Sequence, residues 1–72
     1  MTTKQVADII IAARKDNPLA VFTFHVKGCG SIVYNESAGP LELDEITTVK
    51  NSQGTHHILT EDISAITVVS HP

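Results

Sequence analysis

The sequence predicts a small, mainly β protein, with one N-terminal helix followed by five short strands in a bent antiparallel barrel. Apolar residues recur at helical spacing over residues 3–16, whereas the rest of the 72-residue chain consists of short segments of alternating polarity between glycine- and proline-containing turns. The alternation changes parity at Asp44-Glu45, inside the third segment. Such a change predicts a bulge or a sharp bend, which a small barrel needs in order to close.

The helix has start and stop signals at both ends. Thr2 and Gln5 have the spacing of a capping box, and Pro18 disfavours helix in the residue before it. The apolar positions of the predicted buried stripe are Val6, Ile9, Ile10 and Ala13. The helix is therefore predicted over about residues 3–16.

The strands follow in one domain that spans residues 1–72. They are predicted over about residues 20–27, 30–36, 41–50, 55–60 and 63–69. Lys27-Gly-Cys-Gly30 supplies the first turn, Asn51 to Gly54 a polar hairpin loop, and Glu61-Asp62 a very short link between the last two strands.

Composition limits the class of protein. The chain is 42% hydrophobic and 18% charged, as expected of a folded protein, and its formal charge of −3 is a poor overall balance for binding polyanions. One cysteine, Cys29, excludes an intrachain disulfide and suits a reducing compartment. Asp8 interrupts the one stretch that could resemble a signal peptide, and no apolar run is long enough for a membrane span. We therefore expect a cytoplasmic protein without membrane contact.

Size and the last strand together predict self-association. A chain of this length buries too little surface to be more than marginally stable alone. The segment from Ile63 to Val69 is apolar on both faces and carries no charge, although exposed edge strands normally carry charges, prolines or bulges. A second copy of the chain is the simplest cover for this strand.

The order of elements resembles the Sm-like family, and two passages resemble its bacterial Hfq-type members. The first runs from Ile9 to Phe22, where an amphipathic helix ends in basic residues and passes through a proline-containing join into strand one. The second runs from His57 to Val69, where an apolar strand, a short polar link and an Ile-Ser-containing last strand resemble the Sm2 region. Glu61-Asp62 replaces the Lys-His pair of the bacterial link, and the loop after strand two reads Asn35-Glu-Ser-Ala-Gly39.

The resemblance implies a closed ring of identical subunits, from pentamer to heptamer, in which strand five pairs with strand four of the next subunit. It also implies that single-stranded RNA, or DNA, is bound. The residues predicted at the subunit interface are Thr55, His57, Leu59, Ile63, Ile66 and Val68.

Five residues are candidates for contact with nucleic acid. Arg14 and Lys15 offer cations for phosphates, or alternatively only complement the helix dipole. Tyr34 offers a ring for base stacking, or alternatively belongs to the core or an interface. Asn35 and Lys50 offer an amide and a further cation.

Nothing in the sequence predicts an enzyme, a cofactor or a metal site. His56 and His57 point to opposite faces of a strand, and neither His25 nor His71 completes a metal spacing. The Glu61-Asp62 pair is a solvated turn, an acidic ring around a pore, or a pair of carboxylates for acid–base chemistry. Cys29 and the serines lack catalytic partners in any known pattern.

Two interpretations of function stay open. One is an Sm-like ring that binds single-stranded RNA or DNA in RNA processing or regulation. The other is a structural or protein-interaction ring, for example of phage origin, without nucleic-acid binding. The family resemblance favours the first, whereas the negative charge and the missing Lys-His pair favour the second.

Overall fold

The computed structural model describes residues 1–35 and 41–69 and shows a small, mainly β protein with one N-terminal α-helix. Its elements are α1 (Thr3–Asp16), β1 (Val21–Val26), β2 (Gly30–Tyr34), β3 (Ile46–Asn51), β4 (Gly54–Leu59) and β5 (Ile63–Val69). The prediction of one helix followed by five antiparallel strands is confirmed. The predicted end of strand two, residue 36, the loop up to Gly39 and His71 lie outside the described residues.

The capping box at the start of α1 is present. The Thr2 hydroxyl accepts a hydrogen bond from the Gln5 amide at 3.1 Å, and the Gln5 side-chain oxygen accepts one from the Thr2 amide at 2.9 Å. Val6 and Ile10 are the buried residues of the helix. The start of α1 is thus set by local hydrogen bonds, and its orientation by a narrow apolar stripe.

The strands form two antiparallel sheets, one of order β2-β1-β5 and one that pairs β3 with β4. In the first sheet Phe22 lies between Tyr34 and Val68, and Phe24 between Ile32 and Ile66. The Asn51 side chain donates a hydrogen bond to the Val33 carbonyl at 2.9 Å, which ties the end of β3 to β2.

The predicted third strand over residues 41–50 is wrong in its first half. Glu42 forms an isolated antiparallel bridge with Thr48, with backbone hydrogen bonds of 3.2 and 2.8 Å, so the chain reverses between them. Asp44 accepts a hydrogen bond from the Glu45 amide, and the Glu45 carbonyl accepts one from the Thr60 amide. These bonds hold Asp44-Glu45 in a turn, which explains why the alternation changes parity there.

One apolar core joins α1 to all five strands. Its buried members are Val6, Ile10, Ala20, Phe22, Phe24, Val26, Tyr34, Val49, Ile58 and Ile63. Alternate residues of β1, namely Phe22, Phe24 and Val26, face this core. The opposite side of the β2-β1-β5 sheet therefore faces away from it.

Candidate nucleic-acid interface

Arg14, in the last turn of α1, contacts the aromatic residues of the sheet. Its Nη2 atom donates a hydrogen bond to the Tyr34 hydroxyl at 2.9 Å. Its guanidinium carbon lies 5.6 Å from the centre of the Tyr34 ring and 5.8 Å from that of Phe22. Cation–π contacts of this kind contribute about 0.5–2 kcal/mol. Arg14 is half-buried and holds the end of the helix against the sheet, in addition to complementing the helix dipole.

Tyr34 belongs to the core. Its ring lies 6.2 Å from Phe22 and 6.2 Å from Phe24, centre to centre, and its side chain is 1% exposed. A base can stack only on a ring face that is open to solvent, and the Tyr34 ring is buried. The prediction that Tyr34 stacks on nucleic acid is therefore corrected. The alternative that the sequence left open, a core residue, is the one observed.

The other three candidate residues are exposed. Lys15 lies in the last turn of α1, Asn35 follows β2, and Lys50 lies near the end of β3. Lys50 is adjacent to Asn51, whose side chain contacts β2 two residues before Asn35. The fold therefore brings the Lys50 end of β3 close to the end of β2.

A groove that the sequence did not reveal runs beside Arg14. It has a volume of about 310 Å³ and is lined by Ala7, Ile10, Ile11, Arg14, Tyr34, Leu41 and Leu43. Ala7, Ile11 and Arg14 are spaced by four and three residues, so they share one helix face. That spacing was readable, whereas Leu41 and Leu43 line the groove through the tertiary structure, which places the segment before β3 beside α1.

Acidic residues collect on another part of the surface. Glu42, Asp44 and Glu45 line one open depression, and Glu45 and Glu61 line a second. A phosphate chain is repelled by such a surface. If nucleic acid binds, its contacts are therefore expected at Lys15, Asn35 and Lys50.

The Glu61-Asp62 link is part of one 3₁₀ turn, Thr60–Asp62. Glu61 is exposed, Asp62 is half-buried, and the Asp62 carbonyl accepts a hydrogen bond from the Lys27 amide at 2.9 Å. This arrangement agrees with the interpretation of the link as a solvated turn.

The three histidines in the described part of the chain hydrogen-bond to neighbouring polar side chains. His57 Nδ1 lies 3.0 Å from the Thr48 hydroxyl, His56 Nε2 lies 3.1 Å from Asn51 Oδ1, and His25 Nε2 lies 2.7 Å from the Thr67 hydroxyl. Within residues 1–35 and 41–69, no group of three or more His, Cys, Asp or Glu side chains could hold a metal ion.

The candidate interface residues divide into two groups. Thr55, His57 and Leu59 are exposed on β4, and Leu59 lies opposite Ile46 on the neighbouring strand, both nearly half exposed. On β5, Ile66 is half-buried and Val68 is 37% exposed.

Ile63 differs from these residues because it is 1% exposed and belongs to the apolar core of the chain itself. Its assignment to a subunit interface is therefore corrected. The register of β5 explains its burial, since Ile63 lies opposite the buried Val26 beyond the irregularity at His25-Val26.

Comparison of the chain with protein-family models, with curated proteins and with solved structures gave no match. In the described part of the chain, no helix has both the length and the apolarity to cross a bilayer. The geometry of the described residues is therefore the basis of the functional proposal.

Proposed function

We propose that this protein is a self-assembling, Sm-like module. Its subunits join through β4 of one copy and β5 of the next into a closed ring, and the ring binds single-stranded RNA or DNA. The observation that carries the proposal is the strand order: among the described residues, β2, β3, β4 and β5 each pair with a single strand, and the proposal uses the free edges of β4 and β5.

The composition of these two edges supports pairing between subunits. Neither Gly54–Leu59 nor Ile63–Val69 contains a Lys, Arg, Asp, Glu or Pro, the residues that most often protect an exposed edge. Exposed apolar side chains lie beside both edges, with Leu59 at one and Val68 and Val69 at the other. Pairing of one edge with the other satisfies the free backbone groups and removes apolar surface from water.

Closure into a ring follows from the difference between the two edges. A contact between two unlike surfaces of the same chain is head-to-tail, and such a contact repeats until the rotation closes or a filament forms. The family resemblance favours closure, with five to seven subunits as a rough expectation.

Light scattering and native mass spectrometry of the purified chain test this assembly directly. At micromolar concentration we expect a uniform closed assembly whose mass is a whole number of rings, and the variant Leu59→Lys should shift it to smaller species because the charge enters the proposed contact. Leu19→Lys is the matched control, since Leu19 is 68% exposed and lies between α1 and β1. A monomeric wild-type protein would refute the proposal.

Nucleic-acid binding is supported by the exposed Lys15, Asn35 and Lys50, which a ring repeats around its axis. A few cations per subunit can then contact a polyanion despite the negative charge of the chain. Fluorescence anisotropy with labelled oligo(U), oligo(A) and single-stranded DNA across a salt series tests this part. We expect weak binding that is lost as salt increases.

A structural or protein-interaction ring is the second candidate, and specific observations favour it. Tyr34 is buried, and acidic side chains line two surface depressions. An intact ring without affinity for any of the three oligonucleotides at low salt would select this function.

A further inference from the structure

The β2-β1-β5 sheet has a side that faces away from the core, which we call the outer face. On β1 it carries Val21, Thr23 and His25, which alternate with the buried Phe22, Phe24 and Val26. The strand register places further residues beside them, namely Ser31 and Val33 on β2 and Ala65, Thr67 and Val69 on β5.

The outer face lacks formal charge. The chain contains five Lys and Arg residues and eight Asp and Glu residues. None of these charged residues belongs to the outer face, which consists of eight other residues. Its side chains are valines, threonines, a serine, an alanine and one histidine. Val33 and Val69 are both more than 40% exposed, and Val21 and Thr23 lie half-buried between them.

We propose that the outer face is covered by the outer face of a second copy, so that two rings stack face to face. This inference rests on the proposed ring. Two copies of a chain with a charge of −3 repel each other least where their surfaces are uncharged, and this sheet face offers such a surface. A twofold axis also places the same patch on both sides of the contact, as an isologous interface requires.

The area of the face indicates why the ring is needed. Three strands about 4.8 Å apart, each with five residues at about 3.4 Å, cover roughly 250 Å² per subunit. Two isolated subunits would then bury roughly 500 Å², well below the approximately 1,200 Å² of the smallest stable interfaces. Two pentamers would bury about 2,500 Å² by the same measure, which is sufficient. Stacking is therefore expected of rings and not of single subunits.

The test compares the native mass of the wild-type chain with that of Val33→Glu and Leu19→Glu. Val33 is chosen because its strand, β2, is not one of the two edges that close the ring. The wild-type protein should have the mass of two rings, and the Val33→Glu protein should have half that mass. Leu19→Glu adds the same charge outside the outer face, so its mass should equal that of the wild type. Circular dichroism melting confirms that both variants fold.

The outcomes separate this inference from the proposed ring. A wild-type mass of one ring overturns stacking and leaves the ring intact, whereas a monomer overturns both. A Val33→Glu variant that keeps the mass of two rings also overturns stacking through this face. A fourth outcome is a wild-type protein of one ring that binds oligo(A), with this binding abolished by Val33→Glu. In that case a nucleic acid and not a second ring covers the outer face.

Discussion

At the scale of single residues, Arg14 combines a charge with a packing contact. Its guanidinium donates to the Tyr34 hydroxyl and lies over two aromatic rings, whereas the adjacent Lys15 is exposed. A loss of nucleic-acid affinity on changing both residues together could therefore reflect either lost charge or a displaced helix end. The two substitutions need to be made separately.

We expect Arg14→Ala to lower the free energy of unfolding by about 1–2 kcal/mol, because a charged hydrogen bond and a cation–π contact are lost. Lys15→Ala should change it by less than about 0.5 kcal/mol, as is usual for exposed positions. Urea unfolding at one protein concentration measures both, since the proposed assembly would make stability concentration-dependent. Equal effects of the two substitutions would contradict the packing role of Arg14.

Thr47 and Thr60 form a buried hydrogen bond between their hydroxyl groups, in which the geometry fixes the donor and the acceptor. The Thr60 hydroxyl donates to the Asp44 carbonyl, so the Thr47 hydroxyl, 2.6 Å away, donates to Thr60. Both threonines are almost fully buried. The pair links β3 to the turn that reverses the chain.

Replacing Thr60 with Val should destabilise the protein more than replacing Thr47 with Val. The first substitution leaves the buried Thr47 hydroxyl without this acceptor, at a cost of about 1–3 kcal/mol. It also removes one of two donors to the Asp44 carbonyl, which accepts from the Thr3 hydroxyl as well. The second removes one donor and leaves the bond from Thr60 to Asp44 intact. Chemical denaturation of the two nearly isosteric variants decides the order, and a larger effect at Thr47 would reverse the assigned donors.

At the scale of elements, β5 serves two surfaces of the molecule. Ile66 lies opposite the buried Phe24 on the core side, and within residues 1–35 and 41–69 no strand pairs with the far edge of β5. A change within this strand is therefore expected to affect folding and assembly together, whereas a change at Leu59 on β4 should affect assembly alone.

Replacing Ile66 with Lys tests this coupling. We expect the oligomer to dissociate and the melting temperature to fall, because a cation would be placed against the core without a partner. Size-exclusion chromatography with light scattering gives the first result and circular dichroism the second. An Ile66→Lys ring of wild-type mass and stability would show that β5 does not contribute to the subunit contact.

At the scale of the whole molecule, charge is unevenly distributed. Acidic residues line the depressions beside the chain reversal and the 3₁₀ turn, and the outer face of the first sheet is uncharged. Lys15 and Lys50 are exposed elsewhere. Binding of a polyanion should therefore respond in opposite directions to changes in these regions.

For nucleic-acid affinity, we expect Lys15→Ala to weaken binding and to reduce the slope of log affinity against log salt, because one phosphate contact per subunit is lost. The double variant Glu61→Ala, Asp62→Ala should leave affinity unchanged or increase it. Anisotropy titrations at several salt concentrations provide both slopes. Weaker binding by the acidic-link variant would indicate that this link contacts the ligand.

The sequence alone determined the elements whose signals are local. The capping box and the proline delimit α1, and an uncharged run that is apolar on both faces identifies β5, so both are predicted with their observed bounds. These signals depend on residues within a few positions of one another. The absence of protecting residues in β5 was likewise readable, because it is a property of that strand alone, whereas the strand order decides which edges are unpaired.

Only the tertiary structure decided which side chains are buried and where the third strand begins. Tyr34 faces the core because β2 pairs with β1 in a register that places it opposite Phe22, and the sequence of β2 has too weak an alternation to indicate this. The reversal before β3 depends on Thr60, which is distant in sequence from Asp44. Contacts between distant residues select one of several locally acceptable conformations, and the candidate site depended on that selection.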